Sequence, residues 1–442
     1  MRRSLKSSIG LFAAALGLMA LVPWGNLYAQ ASVHRGTPQR QGNAWVELAT
    51  CVAPVYDGGR LIVKADFGTI VVKPGPDGRM DCQVHLRAYK ASEEEARQYF
   101  RAYQLSLRRL EGGGAMLVGR STRSGEHRGL SVDYQVSVPL KFNLNLETQG
   151  GDLKIGNLDG EFDGKTAGGD ISSGDVAGPV RVETAGGDIS LGNVGQRVEA
   201  HTAGGAIRLK DVKGDAELET SGGEIVTGVI NGSVNARTAG GDIVLRGAAG
   251  QVRAETAGGQ IQIGQCQAGV DAQTAGGNIR LHGARGLVVA RTAGGSIDLF
   301  RLQGPVRAES AAGPILAEIN ADRASFAASQ LATSVGDVKV FLPPDLPLTI
   351  NAAIQQAFGR KISSDFPIQI QGDQETFRHR SMHAEGELNG GGKLLQINTV
   401  MGNIEILKLN QQRLEELKKA QELMWKAWQM HRRQFLEGNN PE

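Results

Sequence analysis

Aromatic residues are scarce in this chain, at 5% of its 442 residues. Proline is also low at 14, and there are only 3 cysteines. The shortage of aromatics argues against a sugar-stacking platform. The low proline count, with no strict G-X-Y period, excludes collagen and sits poorly with a disordered linker. Charge of one sign is missing as well: 48 Lys and Arg against 46 Asp and Glu leave a formal net of +2. No basic stripe is present, so nucleic acid is not an expected partner. The cysteines show no CxxC or zinc spacing.

Long apolar runs are confined to the start. Arg2, Arg3 and Lys6 precede an apolar stretch from Ile9 to Val22. That stretch is short for a membrane span, and Ala29-Gln30-Ala31 follows as a small-x-small site. Residues 1–31 therefore read as an export signal, with a mature chain beginning near Ser32 and no transmembrane span in it. An exported chain can form disulfides, and Cys51 and Cys82 are the candidate pair. Cys266 is left as a buried small hydrophobe.

What the chain has in excess is glycine, 61 residues. Thr-Ala-Gly-Gly-Asp-Ile occurs at 166–171, 184–189 and 238–243. Variants begin at Thr148, Thr202, Thr220, Thr256, Thr274, Thr292 and Ser310, every start 18 residues after the last. Counting each Thr as position 0, position 5 is always aliphatic, from Leu153 to Ile315. Position 7 is mostly Leu or Ile. Position 10 is small or aliphatic, as in Leu158, Val176 and Cys266. Position 14 is largely Val and position 16 mostly Ala. Alternation within 5–7 and 14–16 has the period of strands.

One such unit cannot bury its apolar side alone, but stacked units can. The expected fold is all-β, a parallel β-solenoid with 18-residue coils. Handedness is expected to be right-handed, as parallel crossovers are. Glycines at positions 2, 3 and often 12 are expected at corners, for positive φ or for close approach. Position 17 places opposite or neutral groups one above another from coil to coil, so like charges rarely stack. Position 4 is Asp in only part of the repeats, which avoids a column of like charge. The Thr at position 0 continues the inward parity of 14 and 16 and reads as a buried hydroxyl ladder.

The flanks divide into a strand-rich N-terminal capping region (32–145), the solenoid (146–320), an irregular β part (321–408) and a helical tail (409–442). In the capping region, Lys64 to Val72 and Leu130 to Val138 alternate as strands. Ser92 and Glu95 form a capping box for one short helix. Gly112–Gly114 and Ser121–Gly129 read as hairpin loops. In the tail, Leu414, Leu417, Met424, Trp428 and Phe435 share a helix face. That face suits the solenoid end, a helix partner or a peripheral membrane surface.

Several stretches resemble the adhesin-like family of exported bacterial proteins, a group of otherwise unknown function. They are Ala65 to Val72, the Thr-x-Gly-Gly-Asp units, Val340 to Pro343, Ser363 to Pro367 and Thr399 to Ile406. The resemblance implies a β-solenoid and an envelope or surface location, and it supplies no catalytic residues.

The residues themselves point away from catalysis. The repeat acids are scattered over different columns, and only Phe162 and Phe300 are aromatic between 148 and 309. Asp follows the Gly pair immediately, unlike calcium-binding nonapeptide repeats. The basic cluster Arg378, His379, Arg380 and His383 reads as a solvated loop. No cofactor, metal or catalytic residue is expected. The expected function is a non-enzymatic, adhesin-like scaffold in the periplasm, outer envelope or cell surface. Its partner would be an envelope or surface polymer or protein. The alternatives are a self-assembling structural element and a glycan-active β-helix enzyme.

Overall fold

The computed structural model describes residues 31–122, 129–372 and 381–410, with Glu415 and Lys419 beyond them. The export signal and most of the tail lie outside the described residues. The rest is a parallel β-solenoid. Each repeat gives one strand to each of two sheets, such as Ile189–Leu191 to the first and Val198–Thr202 to the second. Neighbouring coils pair in parallel with no slip: Ile189 lies beside Ile207, and Val198 beside Ala216.

The aliphatic ladders read from the sequence fill the interior. Ile171, Ile189, Ile207, Ile225 and Ile243 are all fully buried at position 5. Burying each such side chain contributes about 1.5–3 kcal/mol. The Cys266 thiol sits in the position-10 column, buried and unpaired. Burial pushes its pKa up to about 11, so it behaves as a small hydrophobe.

The Thr column is buried, and each hydroxyl works twice. Thr256 Oγ1 donates to the Gly241 carbonyl of the coil before, at 2.9 Å. It also accepts from the Gly259 N–H of its own coil, at 3.2 Å. The same pair of bonds recurs at Thr184, Thr202, Thr220 and Thr274. A hydroxyl that donates and accepts can be buried without an unmet polar group.

The two glycines of the motif are not equivalent. At position 3 a Cβ on Gly241 would stand 2.0 Å from the Gly223 carbonyl oxygen one coil below. At position 2 a Cβ on Gly240 would meet nothing nearer than 3.5 Å. Close approach between coils thus demands glycine at position 3. Positive φ does not explain the motif: within the repeats the described residues in that region are Gly151 and Arg301.

The flanks are more regular than their sequence suggests. Strands Arg60–Ala65 and Thr69–Pro74 pair in parallel with Asn143–Thr148 and Leu153–Ile155. They form a coil in register with the first repeat. Lys64 to Val72 is therefore two strands in different sheets, with the turn at Phe67-Gly68. A further coil, Gly114–Ser121 and Leu130–Val138, pairs on the far side of that one. The strands on either side of the expected Ser121–Gly129 loop lie in different sheets, and residues 123–128 between them lie outside the described residues. Gly112–Gly114 does join an antiparallel pair, Tyr103–Leu110 and Gly114–Ser121.

The boundary placed at 145 does not interrupt either sheet. Capping falls to the antiparallel strands Ala44–Pro54, Arg79–Ala88 and Tyr103–Leu110. Helix Glu93–Ala102 lies beside them, its Ser92 Oγ accepting from Glu95 N–H at 3.3 Å. Cys51 lies directly opposite Cys82 in this layer, bonded to it with Cα atoms 4.9 Å apart.

At the other end, 321–408 also builds coils. Ser329–Val335 with Val338–Leu342 stacks on the last repeat. Lys393–Met401 with Ile404–Lys408 comes next. Leu348–Ile354 with Ile362–Ser364 follows, and the antiparallel strands Met382–Leu388 and Gln369–Gly372 lie beyond it in the second sheet. The extra residues before Thr333 form an exposed turn at Asp322–Ser325, while Phe326 enters the core.

Candidate binding surface

The corner at positions 0 to 4 presents a smooth outer track. Position 1 is exposed in every repeat from Ala167 to Ala311, and the Gly after it stays exposed through Gly294. The track is smooth because the Thr beneath is turned inward and positions 1 and 2 carry only Ala, Ser or Gly from Ala167 to Ala312. Beside it stands the position-17 row. Opposite charges meet across coils as the sequence suggested: Lys165 with Glu183 at 2.9 Å, Arg237 with Glu255 at 3.1 Å, and Arg291 with Glu309 at 3.6 Å. Glu183 bonded to Lys165 is held below the usual carboxylate range, and Lys165 is raised in return. Burial would raise Glu255, but Arg253 and Arg237 outweigh it and hold it low. These pairs are half-exposed, so each adds little stability. Their effect is to leave a wall of mixed sign.

Over the later coils, track and wall enclose a shallow groove of about 1070 Å³. Ala257, Ala275, Ala293 and Ala311 form its floor, and Arg237, Glu255, Gln273, Arg291 and Glu309 its wall. Ser334, Gln355 and Val400 close its far end. At ~4.8 Å per coil it runs about 34 Å.

The Asp column at position 4 has a role that sequence reasoning missed. Asp170 Oδ1 accepts the N–H of Asp188 one coil on, at 2.8 Å. Asp188 does the same for Ala206, and Asp242 for Gln260, both at 2.8 Å. The acid caps the corner of the next coil. A second ladder, Asn157, Asp175, Asn193 and Asp211, does this at position 9, ending on Val229 N–H. Its Asp175 is held low chiefly by the Asn193 backbone N–H. The signal was present: Asn or Asp recurring at one corner position in four consecutive coils.

Chemistry-bearing groups do not gather. Among the described residues, no group of three or more His, Cys, Asp or Glu is placed to hold a metal. Of the basic cluster, Arg378, His379 and Arg380 lie outside the described residues, and His383 is exposed on strand Met382–Leu388. No helix among the described residues is long and apolar enough to cross a membrane.

A family model described as Toastrack DUF4097 matches residues 104–285. Over those residues the chain is similar to that family. The match starts in the strand Tyr103–Leu110 and ends just after the strand Ile279–Ala284, so the stack of coils continues past it at both ends. No curated protein matches the sequence significantly.

Three solved structures share similarity with the chain. One is described as a "putative cell adhesion protein" from Clostridium sporogenes ATCC 15579, at 6% identity over 81% of this chain and 99% of that one, TM-score 0.16. Another is a "putative adhesin" from Bacteroides fragilis NCTC 9343, at 13% identity over 81% and 97%, TM-score 0.21. The third is a "putative lipid binding protein" from Parabacteroides distasonis ATCC 8503, at 10% identity over 84% and 98%, TM-score 0.17. Scores this low carry no argument about this chain.

Proposed function

We propose that this protein is an exported, non-enzymatic scaffold that binds an extended envelope or surface polymer lengthwise along the alanine-floored groove. The groove carries the reading. It is long, shallow and rigid, which suits an extended chain better than a small molecule. Its wall is already neutralised by ion pairs, which favours an uncharged ligand over an anionic one. The Cys51–Cys82 bond fits an oxidising compartment, in line with the export signal.

The test is retention of the purified protein on isolated envelope polymers. Ala257→Gln with Ala293→Gln places two longer side chains on an exposed floor. Retention should fall while the melting temperature stays unchanged. No retention of the wild type on any fraction, or equal retention of the variant, defeats the reading. N-terminal sequencing of protein recovered from the envelope should start near Ser32.

A further inference from the structure

The outer face of the second sheet carries rows of charged side chains, and at Asn235 a row is interrupted. Asn235 faces outward between the buried Val234 and Ala236. At the same position of the neighbouring coils stand Glu217 on one side and Arg253 on the other. Both are committed elsewhere. Glu217 is paired with Arg197 at 2.9 Å, across position 13. Arg253 Nε donates to Glu255 at 2.7 Å, across position 17.

Between these pairs lies a hollow of about 350 Å³, lined also by Ser233, Asn235 and Gln251. These three take no part in the ion pairs. Ser233 gives Asp215 only its backbone N–H, at 2.8 Å. Asn235 Oδ1 accepts no hydrogen bond among the described residues, so turning that amide towards a ligand costs it no acceptor bond. One hydroxyl and two primary amides can each donate and accept. The charges around them already neutralise one another. The hollow therefore suits an uncharged group rich in hydroxyls better than an ion. Its volume is at the low end for ligand pockets, which fits one ring and not a chain.

The hollow shares a wall with the alanine-floored groove. Arg253 lines the hollow, and Glu255, bonded to it, lines the groove. The two are outward neighbours on strand Val252–Thr256, about 7 Å apart along it. Later coils do not extend the hollow. Asp271 at its edge is held by Gln273 at 2.9 Å, and Leu287 and Val289 follow at positions 13 and 15.

We propose that this hollow is a subsite for one uncharged sugar branch of the polymer that lies in the groove. This rests on the groove reading and narrows its ligand to a branched neutral glycan. Ser233, Asn235 and Gln251 recognise the branch by hydrogen bonds, so the scarcity of aromatics is no obstacle.

Binding of the full chain to an array of neutral glycans, linear and branched on the same backbones, tests this. The wild type should hold branched members more tightly than linear ones. Asn235→Leu with Gln251→Leu should weaken binding of branched members about tenfold. Linear members and the melting temperature should be unaffected. A wild type that holds both classes alike overturns the subsite and leaves the groove reading in place. So does a branched preference that survives the double variant. A wild type that holds neither class also overturns the proposal, and retention on envelope polymers then decides the groove. Linear binding that persists in Ala257→Gln with Ala293→Gln defeats the groove reading, while the hollow's own variant still decides the hollow.

Discussion

The coils before Ile225 and those after it share one period but hold a corner by different chemistry. In the early half, strands of the first sheet are short, as in Ile171–Ser173 and Ile207–Leu209. The chain then turns, and Leu158, Val176, Val194 and Val212 touch only through isolated bridges. Asn157, Asp175, Asn193 and Asp211 stitch that corner with side-chain acceptors. In the late half the side-chain ladder stops, and the strands lengthen to take in position 10, as in Ile243–Ala248 and Ile261–Cys266. Asn and Asp bond readily to nearby backbone and so favour a turn. Val229 and Gly247 at the same position carry no side-chain acceptor, and backbone pairing takes over through Gln265. One repeat length thus accommodates two ways of satisfying the same N–H groups.

Three sets of variants bear on this comparison. The largest effect should come from the interior that both halves share. Ile243→Asp puts an unpaired carboxylate into a fully buried column, costing about 4 kcal/mol or more. Ile189→Asp should do the same in the early half. Thermal denaturation near that of the wild type in either variant would mean that the inward register is wrong. Next, Gly241→Ala forces two coils apart and should cost about 1–3 kcal/mol. Gly240→Ala, its neighbour in the motif, should be neutral or stabilise by about 0.5 kcal/mol. Equal melting temperatures for the two would remove close approach as the reason for the second glycine. The smallest effect separates the halves. Asp211→Ala leaves the Val229 N–H without its side-chain acceptor, for a loss of about 0.5–1 kcal/mol. Gln265→Ala, at the equivalent late position, should change stability by less than about 0.5 kcal/mol. Urea titration of both variants checks whether the corner chemistry really differs.

Much of the column was legible because a stacked coil repeats every contact at a fixed spacing. The inward aliphatic ladders, the buried Thr hydroxyls and the paired charges of position 17 all follow from the period. Other features gave no periodic signal. The coil at Arg60–Pro74 is separated from its neighbour by an intervening layer, so its spacing does not match the repeat. The coils after Ser310 carry insertions of unequal length. The Asp column at position 4 was read as diluted charge because its acceptor role becomes visible only when the next coil's N–H is placed above it. The groove was invisible for a related reason: exposed alanines look featureless until the wall beside them is in place.

The order of coils in space departs from their order in the chain at both ends. Arg60–Ala65 lies between Gly114–Ser121 and Asn143–Thr148. Ile404–Lys408 lies between Val338–Leu342 and Ile362–Ser364. A simple solenoid pulled by its termini unwinds like thread from a spool, one turn at a time. Here each terminal thread is tucked beneath a later or earlier turn, as a rope end is passed under its own winding. Tension from the C-terminal side must shear Ile404–Lys408 out from between two neighbours before any repeat can unwind, while on the N-terminal side the Cys51–Cys82 bond carries the load past the coil of Arg60–Pro74 and leaves that coil clamped. For a rod that bears load, this tuck serves as a whipping that keeps the spool closed.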